Sequence, residues 1–303
     1  MIVRPRLHWL RMLFVIRGSV LPDILPQLLL TAVFATVVTV LHGTLFLWKV
    51  PLNFVPFSLI GITLAIFLGF RNSTSYARYW EARMLWGAVL NDTRSLARQA
   101  TSFATDASTV PPFVHRLIAF VHALRHQLRD TDPAADLRRI LPPDDCERLA
   151  AMQFKPAILL RMASEWIGAR HREGTLPSVA VQAMEGPMCQ LSTALGGCER
   201  IANTPIPYTY AVILHRTVYL YCFLLPFGLV DAIGPTTPVV VAFVAYTFFA
   251  LEALSAEIEE PFGTEPNDLA LHAMSVSIEA TLRETIGEPI TQSASVSDSY
   301  VLL

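Results

Sequence analysis

SLIGITLAIFLGFRNSTSYARYW, Ser58 to Trp80, begins like a membrane-spanning segment and continues as something else. The residues from Val55 to Phe70 carry no charge. At about 1.5 Å of rise per residue they span about 24 Å, short for a hydrocarbon core of about 30 Å. Arg71-Asn72-Ser73-Thr74-Ser75 follows, with neither proline nor glycine to end the helix before Trp80. The stretch is either a lipid anchor with a polar tail or a helix that lines a wet space. Ile62, Ile66 and Phe70 fall at i, i+4 and i+8, one line along a helix. Ser73 and Ala77 prolong that line with small or polar side chains. An apolar line of this kind is most often core packing. Its polar continuation also suits a pore that is narrow in the membrane and wider below, and a single copy cannot close a pore, so that reading needs a symmetric ring of subunits.

The rest of the chain favours a membrane. It has 303 residues, 53% hydrophobic and 16% charged, with a mean hydropathy of +0.44; soluble domains carry about 25% charged residues. The net charge of −2 provides no field that would attract nucleic acid. Cys146, Cys189, Cys198 and Cys222 have no metal-ligand spacing, and three of them fall in a segment assigned to the cytoplasm, so disulfides are not expected.

Four segments are candidate spans: Ile24–Trp48, Val55–Phe70, Tyr208–Val230 and Pro238–Leu254. Asp231, Gly234, Pro235 and Pro238 separate the last two. The N-terminal arm carries Arg4, Arg6, Arg11 and Arg17, whereas the loop between the first two spans carries only Lys49 and the loop between the last two has neither Lys nor Arg. Both termini and the middle segment are therefore expected in the cytoplasm. Arg17 cuts the apolar run Met12–Ile16 too short for a signal peptide, and the arm reads as an amphipathic surface segment. The expected organisation is an arm over 1–21, two spans over 22–70, a helical cytoplasmic domain over 71–207, two further spans over 208–254, and a C-terminal segment and tail over 255–303.

In the middle domain one helical pattern runs from Arg71 to about Phe103. Further helices are expected over Pro112–Leu128, Glu147–Arg170 and Ser178–Ile201, with a kink or break at Pro156 and at Gly186-Pro187 and a loop over Asp130–Pro143. No catalytic motif appears: no phosphate-binding glycine loop, nucleophile elbow or zinc-protease pair. His115, His122 and His126 share a helix face, but no carboxylate or cysteine stands at a matching offset, so no metal is expected there. Glu257, Glu259, Glu260, Glu265 and Asp268 lack the spacing of a calcium loop and read as a solvated helix end. Within the spans, His215 and Arg216 lie about 12 Å from the start of the third, and Glu252 lies near the end of the fourth. An Arg216–Glu252 pair bracing these helices competes with a simpler reading in which Arg216 snorkels to the headgroups.

Three motifs resemble the bestrophin family, and the match covers most of the chain: Val55-Pro56-Phe57-Ser58 through Leu68-Gly69-Phe70 to RNSTSYARYWE (Arg71–Glu81); ERIANTPIP (Glu199–Pro207); and Pro261-Phe262-Gly263. The resemblance implies an all-α membrane protein with four transmembrane helices per subunit, continuous with a helical cytoplasmic domain, assembled as a homopentameric channel with one axial pore. It implies a hydrophobic neck at Ile62, Ile66 and Phe70, lining below it at Ser73 and Ala77, and a cytoplasmic aperture within Val179-Ala180-Val181, centred on Ala180. It also implies a location in the bacterial plasma (inner) membrane, with lipids, permeant monovalent ions and further copies of the chain as partners. Eukaryotic members follow Pro-Phe-Gly with a dense acidic cluster that clasps calcium. Here Thr264-Glu265-Pro266-Asn267-Asp268 is poorer in carboxylates, so no calcium or other cofactor is expected. Family-typical chloride conduction leads, with a monovalent-cation channel of the same fold as the alternative. A membrane-anchored scaffold or binding protein is the competing class. A secondary transporter is disfavoured, because no inverted repeat is visible.

Overall fold

The structure, a computed structural model, describes residues 1–4, 8–16, 18–45, 48–49, 52–290 and 302. Arg6 and Arg17 of the basic arm, residues 46–47 of the first expected span, and residues 291–301 and 303 of the tail lie outside the described residues. The helices begin with α1 (Trp9–Met12), α2 (Leu21–Val40), α3 (Phe54–Phe103) and α4 (Val110–Leu128). Next come α5 (Ala134–Ile140), α6 (Pro143–Ala150), α7 (Lys155–Arg172) and α8 (Ser178–Asn203). The last are α9 (Tyr208–Ile233), α10 (Thr237–Glu259) and α11 (Leu271–Thr285). A two-residue antiparallel hairpin, β1 (Thr44–Leu45) with β2 (Trp48–Lys49), sets Thr44 opposite Lys49. The chain divides into one unit made of Arg4–Tyr79 and Pro205–Glu260 and another made of Met1–Val3, Trp80–Thr204 and Pro261–Leu303.

Among the described residues, three segments are long and apolar enough to cross a membrane: α2, α3 and Tyr208–Glu259. The third is two helices, α9 and α10, parted by a 3-10 turn over Gly234–Thr236. Gly234 takes φ +55° there, a conformation that costs glycine little and other residues more. The first expected span is shorter than its apolar run: α2 ends at Val40, and His42 and Gly43, both at positive φ, lead into the hairpin.

In the apolar unit, α2, α9 and α10 pack with the start of α3. Phe57, Leu64 and Leu68 of α3 meet Val218, Cys222 and Leu225 of α9 and Val241, Ala245 and Phe249 of α10. Between apolar helices in lipid the gain is close packing rather than release of water. Gly228 of α9 serves this directly, since a Cβ there would lie 2.7 Å from the Phe57 ring. Along α3 the buried positions in this unit are Phe57, Leu64, Leu68, Arg71 and Ser75. They keep nearly a seven-residue period, the seam of helices packed side by side.

In the other unit α3 continues that seam through Ala82, Trp86, Val89, Thr93, Leu96 and Ala100. The central helix is α4, with every residue from Leu117 to Arg125 buried. Prolines explain three departures from expectation. The stretch Asp130–Pro143 contains α5 rather than only loop: the Ala134 backbone N–H donates to Asp132 Oδ1 (3.0 Å), and Leu137 and Ile140 are buried. Pro156 does not break a helix; it stands in the first turn of α7, where its missing N–H costs nothing. At Pro187, α8 runs through without a break, forgoing a single backbone hydrogen bond.

Candidate functional site

The line of side chains anticipated on α3 faces away from the rest of its own chain. Ile62, Ile66 and Phe70 are 60%, 53% and 64% exposed, and Ser73 and Ala77 are exposed as well. Their helix is held by the buried seam, and this face lies largely outside the packing of the chain that carries it. Leu64 and Leu68 are the apolar packing residues of the opening stretch, whereas Ile62, Ile66 and Phe70 stay more than half exposed.

The polar continuation is not uniformly wet. Arg71 is buried, and its Nη2 lies 3.4 Å from Glu259 Oε2 of α10, while the Nε of Arg78 donates to the Glu259 carbonyl (3.1 Å). Glu259 is thus an internal partner rather than part of a solvated helix end. Farther along the acidic run, the Glu265 backbone N–H donates to the buried Asp268 carboxylate (2.7 Å). Among the described residues, no group of three His, Cys, Asp or Glu side chains is placed to hold a metal ion.

Two expected placements change. Glu252 pairs with His215, whose Nδ1 stands 2.6 Å from Oε1, and Arg216 has no ion-pair partner among the described residues. Neighbouring positions on a helix point about 100° apart, so only one of the two can face α10. In the expected aperture Ala180 is buried, Val181 is half-buried, and Val179 is 79% exposed, so Val179 is the side chain this turn leaves uncovered.

The three histidines of α4 each meet a carboxylate from another helix or loop, two of them from the far end of the chain. His115 Nε2 lies 2.8 Å from Glu288, His122 Nε2 lies 2.8 Å from Glu279, and His126 Nε2 lies 3.1 Å from Asp136. Glu279 also accepts from Arg139 (2.5 Å) and from Arg283 (2.8 Å), and Asp136 accepts from Arg125 (2.6 Å). Burial pushes the Glu279 carboxyl upward, but hydrogen bonds from Arg139, His122 and Arg283 outweigh it and hold the group well below the usual range. Asp136 is likewise held low, first by His122, whose Nδ1 stands 3.5 Å from it, with His126 and Arg125 adding to that against burial. Burial lowers His126 and His272, and the Arg125 charge lowers both further. In every one of these groups the unfolded chain binds protons more readily than the folded one, so acid destabilises the fold. The melting temperature of the solubilised protein is expected to hold near pH 7.5 and to fall below about 6.5, where unfolded imidazoles charge. It should fall further below about 4.3, where unfolded carboxylates protonate. A melting curve unchanged between pH 7.5 and 5 would contradict this. The cysteines are all free, and burial pushes the Cys198 thiol up to about 12.

These observations define a helical protein with membrane-capable helices, one of which turns an apolar stripe outward from its own chain. The chain belongs to the bacterial bestrophin family: the Bacterial/Fungal Bestrophin profile matches residues 1–284. It is 52% identical to a voltage-dependent anion channel-forming protein of Ralstonia nicotianae over 100% of both chains. It is 42% identical to the voltage-dependent anion channel-forming protein YneE of Escherichia coli over 93% of each. Its fold is similar to the crystal structure of a bacterial bestrophin homolog from Klebsiella pneumoniae, with a TM-score of 0.85 and 42% identity over 88% of this chain and 99% of that one.

Proposed function

We propose that this chain is one subunit of a homopentameric channel that passes small monovalent anions, chloride foremost, across the bacterial inner membrane. The observation that carries the reading is the outward stripe of Ile62, Ile66 and Phe70 on a helix held by its buried seam. Five such stripes around one axis close an apolar neck that gates by dewetting. Ser73 and Ala77 line the wider passage below it, and Val179 rims the cytoplasmic exit. Four spans per subunit, α2, the first part of α3, α9 and α10, leave both termini in the cytoplasm, in accord with the arginines of the N-terminal arm. Anion preference follows the names of the relatives from Ralstonia and Escherichia, since an apolar neck discriminates weakly by charge.

The test is a reversal potential across a planar bilayer holding the purified protein under a potassium chloride gradient. A value close to the chloride equilibrium potential is expected. One close to the potassium potential would make this a cation channel of the same fold. Absence of current from a monomeric protein would favour a membrane-anchored scaffold.

A further inference from the structure

Between α2 and α9 lies a cavity of about 730 Å³ that the proposed conduction path does not use. Its walls are apolar, from Leu30 and Phe34 of α2 and Leu220 and Phe223 of α9, and the Phe34 and Phe223 rings stack at 4.1 Å. His215 and Arg216 line it one turn closer to the start of α9 than Tyr219 and Leu220. Glu252 engages the His215 Nδ1, and among the described residues no carboxylate lines the cavity, which leaves Arg216 as a cation facing it without an ion-pair partner. Arg216 stands about 12 Å along α9 from Tyr208, and Leu30 stands about 14 Å along α2 from Leu21, so cation and apolar wall occur at comparable distances from the two helix starts. An exposed arginine at this depth, above an apolar groove and without a protein counter-ion, is costly unless lipid supplies the anion.

We propose that this cavity binds an anionic phospholipid, with its phosphate against Arg216 and an acyl chain along Leu30, Leu220 and Phe223. The inference rests on the membrane placement above, which puts the starts of α2 and α9 at the cytoplasmic leaflet. The chemistry is that of a basic pocket between spanning helices, where a fixed cation selects the headgroup and the apolar wall accepts the tail. Phosphatidylglycerol carries the required net charge, and phosphatidylcholine of the same chains does not.

The test is native mass spectrometry of the full-length protein titrated with these two lipids. The wild type is expected to retain phosphatidylglycerol over phosphatidylcholine. Arg216→Gln should lower phosphatidylglycerol retention about fivefold, the effect of one basic residue near an anionic surface, and leave phosphatidylcholine unchanged. Arg216→Lys should restore most of it, and Leu220→Trp should lower both lipids by filling the groove. Equal retention by wild type and Arg216→Gln would overturn the proposal. So would a changed subunit count in either Arg216→Gln or Leu220→Trp, since the cavity would then be a contact between copies of the chain. Current measured on the same samples separates the two readings. Arg216-dependent lipid retention without any current sinks the channel alone, and current with lipid retention indifferent to Arg216 sinks this inference alone.

Discussion

Replacing Ile66 by alanine is expected to raise unitary conductance about tenfold and to leave thermal stability where it was. The side chain is 53% exposed and belongs to no buried cluster of its own subunit, and surface substitutions of that kind stay within about 0.5 kcal/mol. In a pentamer the change removes three carbons from each of five copies at one level of the neck. A dry constriction resists ions because wetting it is unfavourable, and a wider, less apolar ring lowers that barrier. A reduction of only about 1.4 kcal/mol suffices for the tenfold rise. Single-channel recordings and a thermal melt of the same preparation check both halves. Unchanged conductance would remove the neck from this level of α3; a large loss of stability would mean that Ile66 packs against protein instead.

Glu279→Ala is expected to be the most damaging single change in the unit built around α4. Glu279 is 2% exposed and accepts from His122, Arg139 and Arg283 together. Deleting the carboxylate leaves the buried His122 Nε2 without its acceptor and takes one partner each from Arg139 and Arg283, which keep Asp136 and Glu288, and breaking a buried ion pair from one side costs about 3–5 kcal/mol. For comparison, Glu165→Gln disrupts the Arg148–Glu165 pair, whose side chains are both 45% exposed, and should cost at most about 1 kcal/mol. Denaturant or thermal unfolding of the two variants side by side reads the difference. Equal, small losses would show that the buried cluster is dispensable.

Much of this protein is legible in local patterns. The low charge content and the apolar segments announce a membrane protein, and arginine placement suggests a topology. The period of 3.6 residues picks out Ile62, Ile66 and Phe70 without reference to any other part of the chain. Helix boundaries were less legible where prolines misled. Pro142 and Pro143 mask the short helix before them, and Pro156 imitates a break while opening α7.

Pairings across the chain were not legible. Arg71 directly follows the apolar line, and nothing near it in the sequence shows that it is buried against Glu259, 188 positions later. The α4 histidines appear to lack carboxylates because Glu279 and Glu288 lie more than 150 positions away. His215 and Arg216 are adjacent in sequence, and only the packed orientation of α9 gives Glu252 to the first and leaves the second facing the cavity.

The sequence by itself determined the membrane class, the family and the apolar line of Ile62, Ile66 and Phe70 along α3, because hydropathy, motif and helical period are properties of neighbouring residues; that the line faces outward came from the packing. The tertiary structure alone decided which charges are buried, which partners they meet and which valine on the turn after Pro177 stays exposed. Those depend on helices brought together from opposite ends of the chain, and the cost of burying a charge without a partner makes their pairing specific.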